Sequence, residues 1–370
     1  MIRLALRNLF QSRPRMAISV GGVALALMLI LALDAILGWI EGRVTAYIDA
    51  SGADIWVSQE GVRNMHMASS SFSSSLASGV ARVEGVESVT PILYMTNVVE
   101  AGDERTIAYV IGLPDRASAG LPWALRSGQA NPNRGGAVID QGVAKAAGIG
   151  LGDTVDILGD EFEVVGLSAG TASLTNSIAF ISSRDFASLL ANPRVASFLL
   201  VRLEPGASAE LTSHRIEAEV RGVTAQTREE FAAQERKVVR DMSSDLMVIM
   251  NLVGFLIGLA VMSLTVYTAT LGRRAEYGVL KALGARNRDL YLTVGVQALV
   301  SVALGLIAGL MFTLALSQIM PRFSSNMGLQ IRLQALAKAG GAAVLFAGAA
   351  ALLPIRQIRG LDPALVFRRR

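Results

Sequence analysis

Four apolar stretches, residues 16–40, 246–271, 290–319 and 335–353, constrain this chain more than anything else in it. Each approaches the roughly 20 apolar residues with which an α-helix crosses a hydrocarbon core ~30 Å thick. In lipid, the backbone of such a segment has no water to bond, so it closes its own hydrogen bonds as a helix. Composition points the same way: 52% of the residues are hydrophobic and only 17% charged, where a soluble domain carries about 25% charged residues. Arg13 and Arg15 precede the first stretch as in a secretory signal, but its 25 residues exceed the 7–15 of a signal's apolar region, and it reads as a retained anchor.

Lysine and arginine in short loops are held on the cytoplasmic side. Arg3, Arg7, Arg13 and Arg15 precede the first stretch without an acid; Arg273, Arg274, Lys281, Arg286 and Arg288 follow the second; Arg356, Arg359 and Arg368, Arg369 and Arg370 follow the fourth. The connection 320–334 carries only Arg322 and Arg332. All four stretches then fit one topology in the cytoplasmic (inner) membrane, with both termini inside. The expected layout is an interfacial helix over 1–15, spans at 16–40, 246–271, 290–319 and 335–353, and an extracytoplasmic domain with its stalk over 41–245. A cytoplasmic loop over 272–289, a short outer loop over 320–334 and a basic tail over 354–370 complete it. The opening "MIRLALRNLFQSRPR" sets Ile2, Leu4, Leu6, Leu9 and Phe10 among arginines, which suits a helix lying in the interface before Pro14 turns the chain.

The long stretch between the first two spans alternates short elements. Residues 53–58, 106–113, 137–140, 154–158, 161–167, 178–182 and 197–203 read as strands from their β-branched content and turn-forming flanks, and 141–148, 183–191 and 209–220 read as helices. The expected fold is therefore an α-helical membrane protein with four transmembrane helices plus a large α+β extracytoplasmic domain between helices 1 and 2. About 200 residues suffice for a real core, in one lobe or two. "ASSSFSSSLASG" (68–79) is low in complexity and reads as a mobile, solvated segment, with Met65, Met67 and Phe72 as the residues that would make it a partner contact instead. "REEFAAQERKVVRDMSSD" (228–245) is charged and helix-prone and reads as a stalk extending the second span.

Several chemistries are excluded. There is no cysteine, and two histidines, His66 and His214, leave little for a zinc site. The pI near 9.6 comes from arginines beside apolar stretches and not from a basic patch interleaved with aromatics, so it marks topology rather than nucleic acid. Neither H-E-x-x-H nor the phosphate-binding G-x-x-x-x-G-K-[ST] occurs. "GLSAG" (166–170) matches the G-x-S-x-G nucleophile elbow around Ser168, but the elbow needs a helix directly afterwards, and "TASLTNS" is a poor one. A Gly-rich turn is the plainer reading.

Within the spans, polar groups are expensive and so informative. Asp34 and Asn251 fall at matching depth near the outer boundary, as partners or as the lining of a shared cavity; the bland reading leaves Asp34 reaching to headgroups. Gly254 with Gly258, and Gly305 with Gly309, form G-x-x-x-G pairs that let helix backbones approach, within the chain or between copies. Between spans two and three, "RRAEYGVLKALGAR" reads as a helix over 275–283 with Glu276 in its first turn and Gly284 as its C-terminal cap. Helical spacing puts Val279, Leu280 and Leu283 on one face and Tyr277 with Lys281 on another. Such an element either rests on the bilayer or inserts a face into a cytoplasmic partner.

This loop resembles that of the MacB and FtsX superfamily of ABC transporter permeases, whose pattern is roughly R-R-x-E-x-G-x-L-[KR]-A-x-G-[AS]; Arg273, Arg274, Glu276, Gly278, Leu280, Lys281, Ala282, Gly284 and Ala285 stand in register. "LALRNLFQSRPRMAIS" is similar to the family's opening, and "GVAKAAGIGLGDTVDILGDEFEVVGL" (142–167) to its external core domain, so the likeness covers nearly the whole chain. No ATPase domain is fused, and the serine run aligns with nothing. The resemblance implies a non-catalytic permease subunit working by mechanotransmission. Cytoplasmic ATPase subunits, which would bind the ATP and Mg, dock on the loop helix through Arg273, Arg274, Glu276, Tyr277, Gly278, Leu280, Lys281, Leu283 and Gly284. A second permease chain, identical or a paralogue, pairs around spans one and two, and external domains move to export or extract a lipid, lipoprotein, peptide or drug-like substrate, with a periplasmic adaptor or lipoprotein as a further partner. No cofactor is expected in this chain itself, and membrane lipid surrounds it. The rival readings are a membrane-anchored sensor or receptor, a regulator of cell-wall hydrolases, and a hydrolase built on Ser168.

Overall fold

The computed structural model describes residues 13–102, 104–172, 177–192, 194–323 and 328–359. Apart from residues 13–15, the interfacial helix expected over 1–15 lies outside them, as does the basic tail beyond residue 359. The chain divides into two compact units, one made of the segments before residue 40 and after residue 242, the other of Ile40–Met242. In chain order the helices are α1 (Arg13–Val44), α2 (Ala46–Ala50), α3 (Leu76–Val80), α4 (Gln141–Ala147), α5 (Ser183–Leu189), α6 (Ala209–Glu219), α7 (Arg228–Leu271), α8 (Arg274–Ala282), α9 (Asn287–Phe323) and α10 (Leu333–Arg359).

The first unit is helical. Among the described residues, three of its helices hold segments long and apolar enough to cross a membrane: Met16–Val44, Arg228–Leu271 and Asn287–Met320. In α10 the apolar segment among the described residues is Leu333–Ala349, and the helix itself continues to Arg359. The core joins Val23, Leu27 and Leu31 of α1 to Met262 and Val266 of α7, Val294, Ala298 and Val302 of α9, and Ala339, Ala343 and Phe346 of α10. Both glycine pairs face α1. A Cβ on Gly258 would stand 2.6 Å from Ala26 Cβ and 2.8 Å from Phe346 Cζ, one on Gly305 2.6 Å from Val23 Cγ1, one on Gly309 2.8 Å from the Ala24 carbonyl, and one on Gly254 3.1 Å from Leu29 Cδ2. Within this chain the G-x-x-x-G spacing thus serves intramolecular packing. Gly258→Val would force methyl groups onto the Phe346 ring, which itself stacks on Phe255 with centroids 4.9 Å apart. Overpacking of this kind costs about 1–3 kcal/mol. We expect a lowered thermal midpoint for the variant in micelles, and an unchanged midpoint would show that α7 does not close on α1 here.

The second unit is α+β. Its strands are β1 (Ile55–Gln59), β2 (Phe72–Ser73), β3 (Val86–Ala101), β4 (Glu104–Leu113), β5 (Leu125–Gly128), β6 (Gly136–Asp140), β7 (Thr154–Ile157), β8 (Asp160–Ser168), β9 (Ser177–Ser182), β10 (Val195–Ala196), β11 (Phe198–Leu203) and β12 (Val223–Thr227). The main sheet runs β12-β1-β11-β3-β4-β9-β6-β8-β5, and β7 bridges β8 back to β3. Strands β3, β4, β9, β6, β8 and β7 therefore close a ring, and alternate residues of all six, among them Val99, Val110, Ile181, Ile139, Val164 and Ile157, meet in one core. Outside the ring, β12, β1, β11 and the first half of β3 form an antiparallel sheet. Its period-2 alternation is strict: Ile55, Val57, Leu199 and Val201 turn to the face that buries Val80 of α3 and Ile216 of α6, while Trp56, Phe198 and Leu200 turn to the other.

The seven strands and three helices read from the sequence are all present. The helices start where side-chain caps allow: Asp140 accepts from Gly142 N at 2.7 Å, Ser182 from Arg184 N at 3.2 Å, and Ser208 from Leu211 N at 3.4 Å. The serine run is a correction. Residues 68–79 are not a solvated linker: Ser70 is buried, its hydroxyl accepts from Gln59 N at 2.9 Å and donates to Ser197 O at 2.5 Å, β2 pairs with β10, and Phe72 and Leu76 pack beside Val80. Serine hydroxyls here satisfy backbone groups, which low complexity conceals.

Candidate functional site

The loop helix α8 is built by its two ends. Helix α7 finishes at Leu271, and the chain turns through Arg273, whose carbonyl accepts from Tyr277 N at 3.0 Å. At the other end Gly284 adopts φ +92°, Ala285 N donates to Leu280 O at 2.9 Å and Gly284 N to Lys281 O at 3.0 Å. Those are the two hydrogen bonds of a Schellman motif, and a glycine is the residue that takes this conformation without strain. One turn later Asp289 accepts from Arg286 N at 3.3 Å and so caps α9. Nine helical residues are thus fixed at both ends between two long helices.

Burial sorts their side chains. Tyr277 is 1% exposed and packs in the core with Leu290 and Val294, Gly278 is buried, and Leu280 packs partly against the same core. Ala275, Glu276, Val279, Ala282 and Leu283 are exposed, Leu283 to 80%. Leu280 therefore does not share a face with Val279 and Leu283: it turns inward one turn after Tyr277, and the free stripe is Glu276, Val279 and Leu283 at i, i+3 and i+7. Tyr277 and Lys281 do lie together, Lys281 half-buried. Burial raises the Tyr277 phenol above its ordinary pKa, with Arg273 lowering it and Glu276 raising it less strongly. The ring acts as a neutral wedge that holds the helix down. Arg273 reaches Glu276 at 3.7 Å across the first turn.

The two polar positions of the spans do not meet. Asp34 pairs with Lys338 of α10, while the Asn251 carbonyl oxygen is buried without a hydrogen-bond partner. Lys338 had been readable as a charge four residues into the last apolar stretch. Nearby, Gln330 N donates to Ala35 O at 3.1 Å and Arg332 Nη2 to Gly38 O at 2.9 Å.

Ser168 is a structural residue. It is fully buried at the end of β8, its hydroxyl bonded to Ile139 O at 3.2 Å and to Thr171 Oγ1 at 2.6 Å. The adjacent Asp140 accepts from Thr171 N, Thr171 Oγ1 and Ala172 N at 2.8–3.1 Å. No described helix follows Ser168 as an elbow needs, and His214 is exposed on α6. Among the described residues no cluster of three or more metal-ligating side chains occurs. The other histidine, His66, contacts Glu235 of α7 at 2.7 Å.

Comparison with known proteins bears on the whole chain. Residues 16–219 match the MacB-like periplasmic core domain and residues 248–363 the FtsX-like permease C-terminal domain. An uncharacterized ABC transporter permease of Mycobacterium tuberculosis is 21% identical over 373 residues, 99% of either chain. Another, from Methanocaldococcus jannaschii, is 22% identical over 350 residues, 88% of this chain and 86% of that one. Among solved structures, the periplasmic region of MacB from Actinobacillus actinomycetemcomitans matches with a TM-score of 0.39 and 14% identity, over 50% of this chain and 94% of that one. With both family signatures in order along its length, the chain belongs to the MacB/FtsX-like family of ABC transporter permeases.

Proposed function

We propose that this permease converts ATP-driven closure of a separate cytoplasmic ATPase into motion of its Ile40–Met242 unit. Membership of the family implies the ATPase partner. The observation that carries the rest is the loop helix: α8 is clamped by Tyr277 and by the Schellman turn, yet leaves Glu276, Val279 and Leu283 exposed. A helix that is fixed on one side and open on the other can pass a push to its neighbours. Its neighbour α7 continues without a break for 44 residues back to Arg228.

In this reading α10 is a fourth span, both termini are cytoplasmic, and residues 41–245 and 320–334 lie outside. Arg273, Arg274, Glu276, Lys281 and Gly284 belong to the ATPase-coupling segment together with Val279 and Leu283, while Tyr277, Gly278 and Leu280 seat it. This chain performs no catalysis, and ATP and Mg are held by the partner. A second permease chain, identical or a paralogue, completes the transporter, which exports or extracts a lipid, lipoprotein, peptide or drug-like substrate, with an adaptor or lipoprotein outside.

Purification of the tagged chain from its native membrane is the test. We expect an ATP-binding cassette protein to copurify and its hydrolysis rate to change when the permease is reconstituted with it. Copurification of a kinase-like signalling protein with no ATPase would replace this reading by a sensor.

A further inference from the structure

Helix α10 is a poor membrane span taken alone. Its apolar stretch, residues 335–353, is long enough to cross, but it is not free of charge. Within those residues stands Lys338. A lone ammonium in an apolar helix is expelled towards the interface, taking the start of the helix with it. Asp34 carries the opposite liability in the first span.

The two liabilities meet. Lys338 Nζ bonds Asp34 Oδ1, and the Asp34 side chain is 13% exposed. The residues ahead of α10 are fastened to the same helix: Gln330 N to Ala35 O at 3.1 Å, and Arg332 Nη2 to Gly38 O at 2.9 Å. A Cβ on Gly38 would stand 3.0 Å from Arg332 Nε, so the absent side chain makes room for this approach. Asp34, Ala35 and Gly38 fall at i, i+1 and i+4, on one side of α1. Three contacts from separate points of the returning chain therefore converge on one face of a helix that is already inserted.

We propose that α1 is the template on which α10 enters the membrane, with Asp34 as the residue that admits Lys338. The inference rests on the four-span reading above. It assigns the pair a role in assembly: neutralising both charges at once turns a charged segment into a stable fourth span and fixes the side of the membrane on which the tail ends.

The chain has no cysteine, so a single one placed in the tail, Ala364→Cys, reports topology directly through a membrane-impermeant maleimide added to intact cells. With Asp34 and Lys338 in place the tail should be protected. In Asp34→Leu it should become accessible, labelling rising at least ~5-fold as the unpaired lysine keeps α10 from crossing. Adding Lys338→Leu to Asp34→Leu should restore protection. Labelling of the unaltered tail overturns the four-span reading itself. A protected unaltered tail together with an Asp34→Leu chain that is equally protected and equally abundant overturns the template alone, as does a double variant that stays accessible. Should Asp34→Leu fail to accumulate, recovery of the double variant to the starting level supports the template, and its continued absence overturns it.

Discussion

Replacing Glu235 with alanine is expected to destabilise the Ile40–Met242 unit by about 3–5 kcal/mol, the scale on which removing one partner of a buried pair is felt. Glu235 is 0% exposed on the first part of α7. Its Oε1 accepts from Met65 N and from His66 N, and its Oε2 meets His66 Nδ1 at 2.7 Å. One turn earlier on the same face, Phe231 stacks on Trp56 with centroids 4.9 Å apart and planes 10° from parallel. Glu235 thus fastens the segment leading into the serine run to the helix that leaves the unit. Alanine strands two backbone N–H groups and the imidazole in a water-poor site, each donor left unpaired costing about 1–3 kcal/mol. Glu235→Gln keeps one acceptor oxygen and should recover part of the loss. Urea unfolding of the whole chain in micelles, followed by tryptophan fluorescence, measures both, and a loss below ~1 kcal/mol for alanine would mean the contact is dispensable.

Much of this was legible beforehand, and the failures have physical reasons. Seven strands announced themselves by β-branched content between turn-forming flanks, and β6 and β9, buried along their whole length, read as continuous apolar runs. Strand β3 did not, although it is the longest at 16 residues, because Pro91 interrupts its pattern. That proline is tolerated where β3 still pairs only with β11; pairing with β4 starts at Leu93. Glu235 was hidden by its neighbours: residues 228–245 read as one solvated charged run, yet Phe231, Ala232 and Glu235 are buried at helical spacing. Asp34 signalled by its mere presence in an apolar span, but its partner lies 304 positions away and no local spacing can reveal it. For α8 the sequence located the helix and its glycine cap. It misplaced Leu280, because a nine-residue helix with apolar groups around most of its circumference leaves the rotational phase open. Contact with Leu290 and Val294 sets that phase through Tyr277.

That phase decides which substitutions should uncouple the transporter. Val279→Glu with Leu283→Glu places two charges on the free stripe and touches nothing buried, since the two residues are 41% and 80% exposed. The variant should fold and reach the membrane as the unaltered chain does. Against an ATPase groove it presents two carboxylates where apolar anchors belong, and each lost anchor at an interface centre costs about 1–2 kcal/mol or more. Two such losses correspond to roughly a 100-fold weaker association, read as loss of the copurifying ATPase and of its stimulated hydrolysis. Tyr277→Ala is the contrasting case. It removes a buried aromatic and should lower the thermal midpoint of the helical unit, as a core truncation of about 3–5 kcal/mol does, with any loss of ATPase following from that unfolding. The two variants separate docking from seating because they act on opposite faces of one helix. If the double glutamate variant holds its ATPase at the unaltered level while the fold is intact, the free stripe is not the coupling surface, and the push must enter the permease elsewhere.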